Sequence, residues 1–176
     1  MLQSEISTDY YNTLQLVFLF KLFDPSVNND RLDWLKANQY CKGLGGNLAS
    51  FLSREAISIL QNQQGLNNKG DKRFWIGFNN IDRSNYKWSD GLPIIITNWA
   101  GGQPDNYNNV EDCAEILSNG LWNDANCYIG RGWMCKIAKG VTPPTNPIVV
   151  NETFPGRLFF LFLNKNFHVN FSSHNL

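Results

Sequence analysis

The side chains best suited to chemistry lie in Gln103-Pro104-Asp105-Asn106-Tyr107-Asn108-Asn109-Val110-Glu111-Asp112-Cys113, followed by Trp122-Asn123-Asp124. This set offers oxygen donors: the amides of Gln103 and Asn123, and the carboxylates of Asp105, Glu111 and Asp124. Calcium takes six to eight oxygens at about 2.3–2.6 Å and tolerates irregular geometry, whereas magnesium demands a tight octahedron. Transition metals favour nitrogen or sulfur. Calcium is therefore the expected ion. A loose trio of loop carboxylates is more often merely solvated, and it is the company of Gln103-Pro104 and Trp122-Asn123 that argues for ligation.

Elements on both sides must hold that stretch. An apolar, aromatic run over 16–23 predicts a strand that stops at Asp24-Pro25-Ser26. Helix-start chemistry at 28–30, with Leu32, Leu35, Tyr40 and Leu44 near helical spacing, predicts an amphipathic helix over roughly 31–43. A short extended piece follows at 48–52. Ser53 reads as the N-cap of a second helix, with Glu55 in its first turn and Ile57 and Leu60 inward. Arg73-Phe74-Trp75-Ile76-Gly77-Phe78 is a buried strand by apolar continuity, and Tyr86-Lys87-Trp88 a second, closing at a plain turn, Ser89-Asp90-Gly91. Residues 92–111 show neither period. So long a loop is usually functional or disordered, and Trp99, Tyr107 and the nearby cysteines argue that this one is ordered. Residues 113–117, 121–122 and 133–137 read as a short antiparallel set. The Trp residues 75, 88, 99, 122 and 133 are expected in the core. Glu115 reads as a partner for a surface Lys, and nothing more.

Four cysteines, Cys41, Cys113, Cys127 and Cys135, contain no C-x-x-C pair, and both histidines, His168 and His174, lie in the tail. A Cys/His zinc site is poorly supported. Two disulfides fit better, which places the chain in an oxidising, extracellular setting. Three pairings are open; nesting 113–127 inside 41–135 would constrain the unfolded chain by about 3 and 4–5 kcal/mol in the entropy model. Two glycosylation sequons, Asn151-Glu152-Thr153 and Asn170-Phe171-Ser172, agree weakly with that setting. Residues 14–20 are no convincing signal peptide and 158–163 are too short for a membrane span. The chain accordingly reads as a piece of a longer protein or one with misassigned ends. Residues 139–147, with three prolines, read as a linker, while 1–15 and 148–176 find no place. Lys plus Arg equal Asp plus Glu, so no basic stripe points to nucleic acid.

In their order, Trp34…Cys41, Trp75-Ile76-Gly77, Trp88-Ser89-Asp90-Gly91, Asn98-Trp99, Gln103-Pro104-Asp105, Glu111-Asp112-Cys113, Trp122-Asn123-Asp124, Cys127 and Trp133…Cys135 resemble a C-type lectin domain over roughly 16–138. The linker composition is similar to that between the tandem domains of the macrophage mannose receptor group, which implies neighbouring lectin domains. The first twenty or so residues depart from the family's Cys-bearing opening strand pair. The resemblance implies an α+β, C-type lectin-like fold: two helices flanking small antiparallel sheets, Cys41–Cys135 and Cys113–Cys127 disulfides, and a long loop folded over calcium. It implies Gln103, Asp105, Glu111, Asn123 and Asp124 as metal ligands, with Asp124 adding its backbone oxygen and Pro104 in a cis bond. It further implies a glycan or glycoprotein partner held by Gln103, Asp105, Tyr107, Glu111 and Asn123. Gln-Pro-Asp, rather than Glu-Pro-Asn, implies galactose or N-acetylgalactosamine, with Tyr107 where similar binders stack an aromatic ring. A second calcium would use Asn80 or Asp82, Ser84, Asn106, Glu111 and Asp112, several of them neutral.

Catalysis is not expected. The domain holds no His, no Gly-x-Ser-x-Gly elbow and no phosphate loop, and carboxylates spent on a metal do not serve a glycosidase. The competing expectation is a calcium-independent lectin-like domain that binds protein or acts as a scaffold.

Overall fold

The computed structural model describes residues 17–24, 31–62, 72–138 and 157–162. A strand apolar without a break from Phe74 to Phe78 lies inside the sheet. It is β3, Arg73–Asn79, buried from Phe74 onward. The others are β1 (Val17–Phe23), β2 (Asn47–Leu48), β4 (Lys87–Trp88), β5 (Cys113–Leu117), β6 (Trp122–Ala125), β7 (Gly132–Ala138) and β8 (Arg157–Phe162); the helices are α1 (Trp34–Gly43) and α2 (Arg54–Asn62). The sheet runs β6-β5-β3-β7-β1-β8, with β2 on β7 and β4 on β3.

Side chains alternate across a strand, so β3 feeds two cores. Phe74, Ile76 and Phe78 meet Ala56, Ile57 and Leu60 of α2, together with Trp88 and Trp122. Trp75 faces the other way, towards Trp34, Ala37 and Tyr40 of α1, and Trp133. The rings in this second core pack closely: Phe23 stacks on Trp133 at 4.6 Å, and Tyr40 meets both edge-on. Gly77 is required by close approach, since a Cβ there would sit 2.7 Å from Ser89 Oγ and 2.8 Å from the Leu48 carbonyl.

Two disulfides, Cys41–Cys135 and Cys113–Cys127, tie α1 to β7 and β5 to the turn after β6. The pairing is the nested one. Ser53 does cap α2, accepting from Ala56 N at 3.3 Å. The helix over 31–43 starts later than expected, at Trp34, with Asp33 as N-cap accepting from Lys36 N at 2.8 Å. Residue 32 is committed elsewhere: Leu32 and Arg131 exchange backbone hydrogen bonds of 3.0 Å, an extended pairing no helix allows. The expected start at 28–30 lies outside the described residues. Leu35, expected inward, is 47% exposed, whereas Tyr40 is buried as expected and shares its stripe with Trp34 and Ala37.

The set 113–117, 121–122 and 133–137 also needs correction. β5 and β6 form an antiparallel hairpin, with β6 reaching Ala125, but β7 inserts between β1 and β3 and runs parallel to β3. The sheet is therefore mixed, because the crossover through the Cys127 turn returns the chain on the far side of β3. Trp75, Trp88, Trp122 and Trp133 are buried as expected, while Trp99 is only partly so. Within the unplaced tail, β8 pairs antiparallel with β1. The linker at 139–147 and both sequons fall outside the described residues.

The turn at Asp90-Gly91 does more than reverse the chain. Asp90 accepts from Ser50 Oγ at 2.5 Å and Leu92 N at 3.2 Å, and pairs with buried Lys136 at 2.8 Å. It joins the loop, the segment before α2 and β7.

Candidate functional site

The loop between β4 and β5 is led along β6 before it reaches the acidic residues. Trp122 N donates to the Asn98 carbonyl and Ala100 N to the Trp122 carbonyl, both at 2.8 Å. Trp99 packs against Trp122, Phe78 and Tyr86. These contacts fix the start of the functional stretch. Gln103-Pro104 is a cis peptide, and Asn106, Asn108 and Asn109 adopt positive φ of 45°, 56° and 57°. Asn tolerates the left-handed region better than other residues bearing a Cβ, which accounts for the asparagine run.

From there the loop folds around carboxylates. Asp124 is buried on β6, and its two oxygens accept from Asp105 N at 3.2 Å and Asn106 N at 2.8 Å. Glu111 accepts from Tyr107 N at 3.1 Å, while Asn106 Oδ1 accepts from Glu111 N at 3.0 Å. Gln103 Oε1 accepts from Asp105 N at 3.2 Å. One carboxylate oxygen each from Asp105, Glu111 and Asp124 can be chosen so that all lie within 4.8 Å of one another. Asp105 is exposed, Glu111 intermediate and Asp124 buried, so the group runs from interior to surface with one side open. Burial pushes the Glu111 carboxyl above its ordinary value; the Tyr107 N–H opposes this, and the Asp124 and Asp105 charges reinforce it. Tyr86, whose hydroxyl donates to the Glu111 carbonyl at 3.4 Å, is held protonated by burial and by the nearby Asp124, Asp112 and Glu111 charges.

The remaining acids are used differently. Asp82 is held by Lys87 and by Ser84, Asp112 pairs with Arg83 at 3.6 Å, and Asp90 pairs with Lys136. Glu111 and Asp124 accept instead from backbone N–H donors, with the Asp105 carboxylate beside them, which leaves the charge of the group available to a cation. Oxygen donors with flexible loop geometry suit calcium by size and hardness. At the suggested second position, the Asp82 and Asp112 charges are already engaged by Lys87 and Arg83. Tyr107 stands 66% exposed near Asp105 in sequence, with its ring towards solvent.

Glu115 departs from expectation. It is fully buried and pairs with two arginines, Arg73 at 3.0 Å and Arg131 at 2.7 Å, rather than with a surface Lys. It also accepts from Asn123 Nδ2 at 3.1 Å. Burial demands such pairing, because an isolated carboxylate in the interior is costly. The turn signal Asn119-Gly120 could have revealed the contact, since it sets the hairpin register that opposes Glu115 to Asn123.

Residues 30–137 match the family model described as Lectin C-type domain. The chain belongs to the C-type lectin domain family. Among its relatives, this lectin domain is 37% identical to rat (Rattus norvegicus) asialoglycoprotein receptor 2 over 65% of the chain and 38% of that protein. It is 34% identical to the galactose-specific lectin nattectin of Thalassophryne nattereri over 59% of the chain and 67% of that protein. The chain thus spans little more than a third of the receptor's length. Among solved structures, it is similar to the mouse scavenger receptor C-type lectin carbohydrate-recognition domain, with TM-score 0.59 and 26% identity over 69% of this chain and 90% of that one. The α+β lectin fold, with its two helices and two disulfides, is the one expected. Carbohydrate binding is the activity for which such domains are named. No helix among the described residues is long and apolar enough to cross a membrane.

Proposed function

We propose that this domain binds galactose-type glycans, galactose or N-acetylgalactosamine, through a calcium ion held by Gln103, Asp105, Glu111, Asn123 and Asp124. The carrying observation is the convergence of three carboxylates, set among backbone N–H donors, on a partly open point of the loop. Two vicinal hydroxyls of the sugar would complete the ion's shell and hydrogen-bond to side chains that also hold the ion, so that Gln103, Asp105 and Glu111 act on both metal and sugar. Gln103 and Asp105 put an amide and a carboxylate on opposite sides of Pro104, which sets the donor and acceptor pattern offered to the hydroxyls. Tyr107 offers an exposed ring to the apolar face of the sugar. The similarity to nattectin, named as galactose-specific, supports that choice. An extracellular, non-catalytic recognition module accords with the two disulfides. The composition of 139–147 supports a parent with adjacent lectin domains, and weak single-site affinity would then be raised by multivalency.

Glycan binding with and without a chelator tests the reading. Galactose-terminated glycans are expected to bind in calcium and to be lost on chelation, and the double variant Gln103→Glu/Asp105→Asn to move preference towards mannose. Binding to protein alone, insensitive to chelator, would favour a scaffold or protein-binding domain instead.

Acid should weaken the site. Metal ligation requires ionised carboxylates, and a Glu111 pKa raised above the ordinary value of about 4.3 means that protons compete from a higher pH than a solvated glutamate would set. The calcium Kd is therefore expected to rise between neutral pH and about pH 5. A calcium titration flat across that window would refute it.

A further inference from the structure

Asn123 poses a question of orientation. Its amide carries an oxygen on one branch and NH2 on the other, and only the oxygen can ligate a cation. Glu115 decides between them. The two residues are cross-strand partners on β5 and β6, and the Glu115 carboxylate, fully buried, is fixed from both ends, Oε1 by Arg73 and Oε2 by Arg131. An ionised carboxylate can only accept. The branch of Asn123 that meets Oε1 at 3.1 Å must therefore be the NH2, and that same nitrogen also donates to the Asp124 carbonyl. With its hydrogens directed to Glu115 and Asp124, Asn123 has its amide oxygen left for a ligand. The arginines contribute by pinning both Glu115 oxygens, so that Oε1 keeps its place opposite Asn123.

We propose that Glu115 is a positioning residue that sets the amide of Asn123 with its oxygen towards the cation. The inference rests on the calcium reading above and assigns to a group outside the ligand set a specific part in it. Partners of this kind orient ligands in metal sites, and their loss typically costs about 10–100-fold in affinity.

The test pairs two substitutions. Glu115→Gln keeps the shape but can offer NH2 to Asn123, allowing the amide to turn; calcium affinity by titration calorimetry is expected to fall by about 10–100-fold. Asn123→Asp in the native background sets two carboxylates against each other and should also weaken binding. In the double variant Glu115→Gln/Asn123→Asp, the amide introduced on β5 donates to the carboxylate introduced on β6. A hydrogen bond of reversed direction is thereby restored, and most of the lost affinity should return. A merely structural role for Glu115 gives no such recovery. In the calcium-free wild-type protein, one Asn123 side-chain amide proton should exchange slowly by NMR, a measurement that stands even if a variant fails to fold. Unchanged affinity in Glu115→Gln, a double variant no better than the single ones, or rapid exchange of both amide protons would each overturn the proposal. Wild-type protein that binds no calcium while keeping the protected proton would instead sink the calcium reading and leave the Glu115–Asn123 contact intact.

Discussion

Replacing Asp124 with Asn is expected to reduce calcium affinity by more than about 100-fold, beyond what loss of an outer partner costs, and to abolish glycan binding with it. The substitution acts twice. It removes a full negative charge from the innermost member of the carboxylate group, where burial leaves little water to take its place. It also replaces one acceptor oxygen by an NH2 that confronts a backbone donor, since the two Asp124 oxygens receive Asp105 N and Asn106 N. The backbone that aims Asp105 therefore loosens together with the ligand. Titration calorimetry with calcium checks the first effect. Chemical denaturation in chelator checks the second, expected at about 1 kcal/mol for a lost hydrogen bond. Calcium affinity within about tenfold of wild type would remove Asp124 from the ligand set.

Lys136→Met is expected to destabilise the fold by about 3–5 kcal/mol, the range for breaking a buried ion pair from one side. Lys136 and Asp90 expose only 7% and 8% of their side chains, so neither charge can turn to water when its partner is lost. Lys136 Nζ also donates to Ser50 and lies 4.8 Å from the centre of the Phe18 ring. Adding Asp90→Asn to Lys136→Met should recover much of the loss, because no unpaired charge then remains inside. The same pair predicts acid behaviour. Burial alone would raise the Asp90 pKa, but hydrogen bonds from Lys136 and Ser50 and the Lys136 charge outweigh it, and the net value is lowered. A depressed carboxylate contributes stability that is whole above its unfolded pKa and disappears as pH falls through the folded one, so this contribution should persist until below the usual aspartate range. Denaturant midpoints of the single and double variants decide the matter: a Lys136→Met cost under about 1 kcal/mol would show that the pair is not effectively buried.

Three of the five ligand candidates, Gln103, Asp105 and Glu111, are legible in the sequence because they lie close together in the chain. Gln103-Pro104-Asp105 and Glu111-Asp112 lie on one loop, and a donor set made of oxygen alone suits a hard cation. The central strand is legible for a similar reason, since 74–78 are apolar without a break. Sequence reasoning fails where a residue's role is set by a distant partner. Asp90-Gly91 has the chemistry of a turn, and nothing nearby tells of Lys136, 46 residues on, whose ammonium meets it inside the protein. Glu115 reads as surface until β3 and the Arg131 bridge bring two guanidinium groups to it. Leu35 keeps helical spacing with its neighbours, yet the stripe that faces β3 is offset from it, because spacing gives a face its shape and packing gives it a direction.

Sequence by itself determined the family, the loop, the oxygen character of its donors and most of the core aromatics, since each is a property of residue types and of their order along the chain. Tertiary structure decided the order of strands, the burial of Asp90, Lys136 and Glu115, and the meeting of Asp124 with Asp105 and Glu111. These depend on contacts between segments far apart in the chain, which no local pattern of apolar and polar residues encodes. A charge becomes a buried partner or a ligand only through what the fold brings against it.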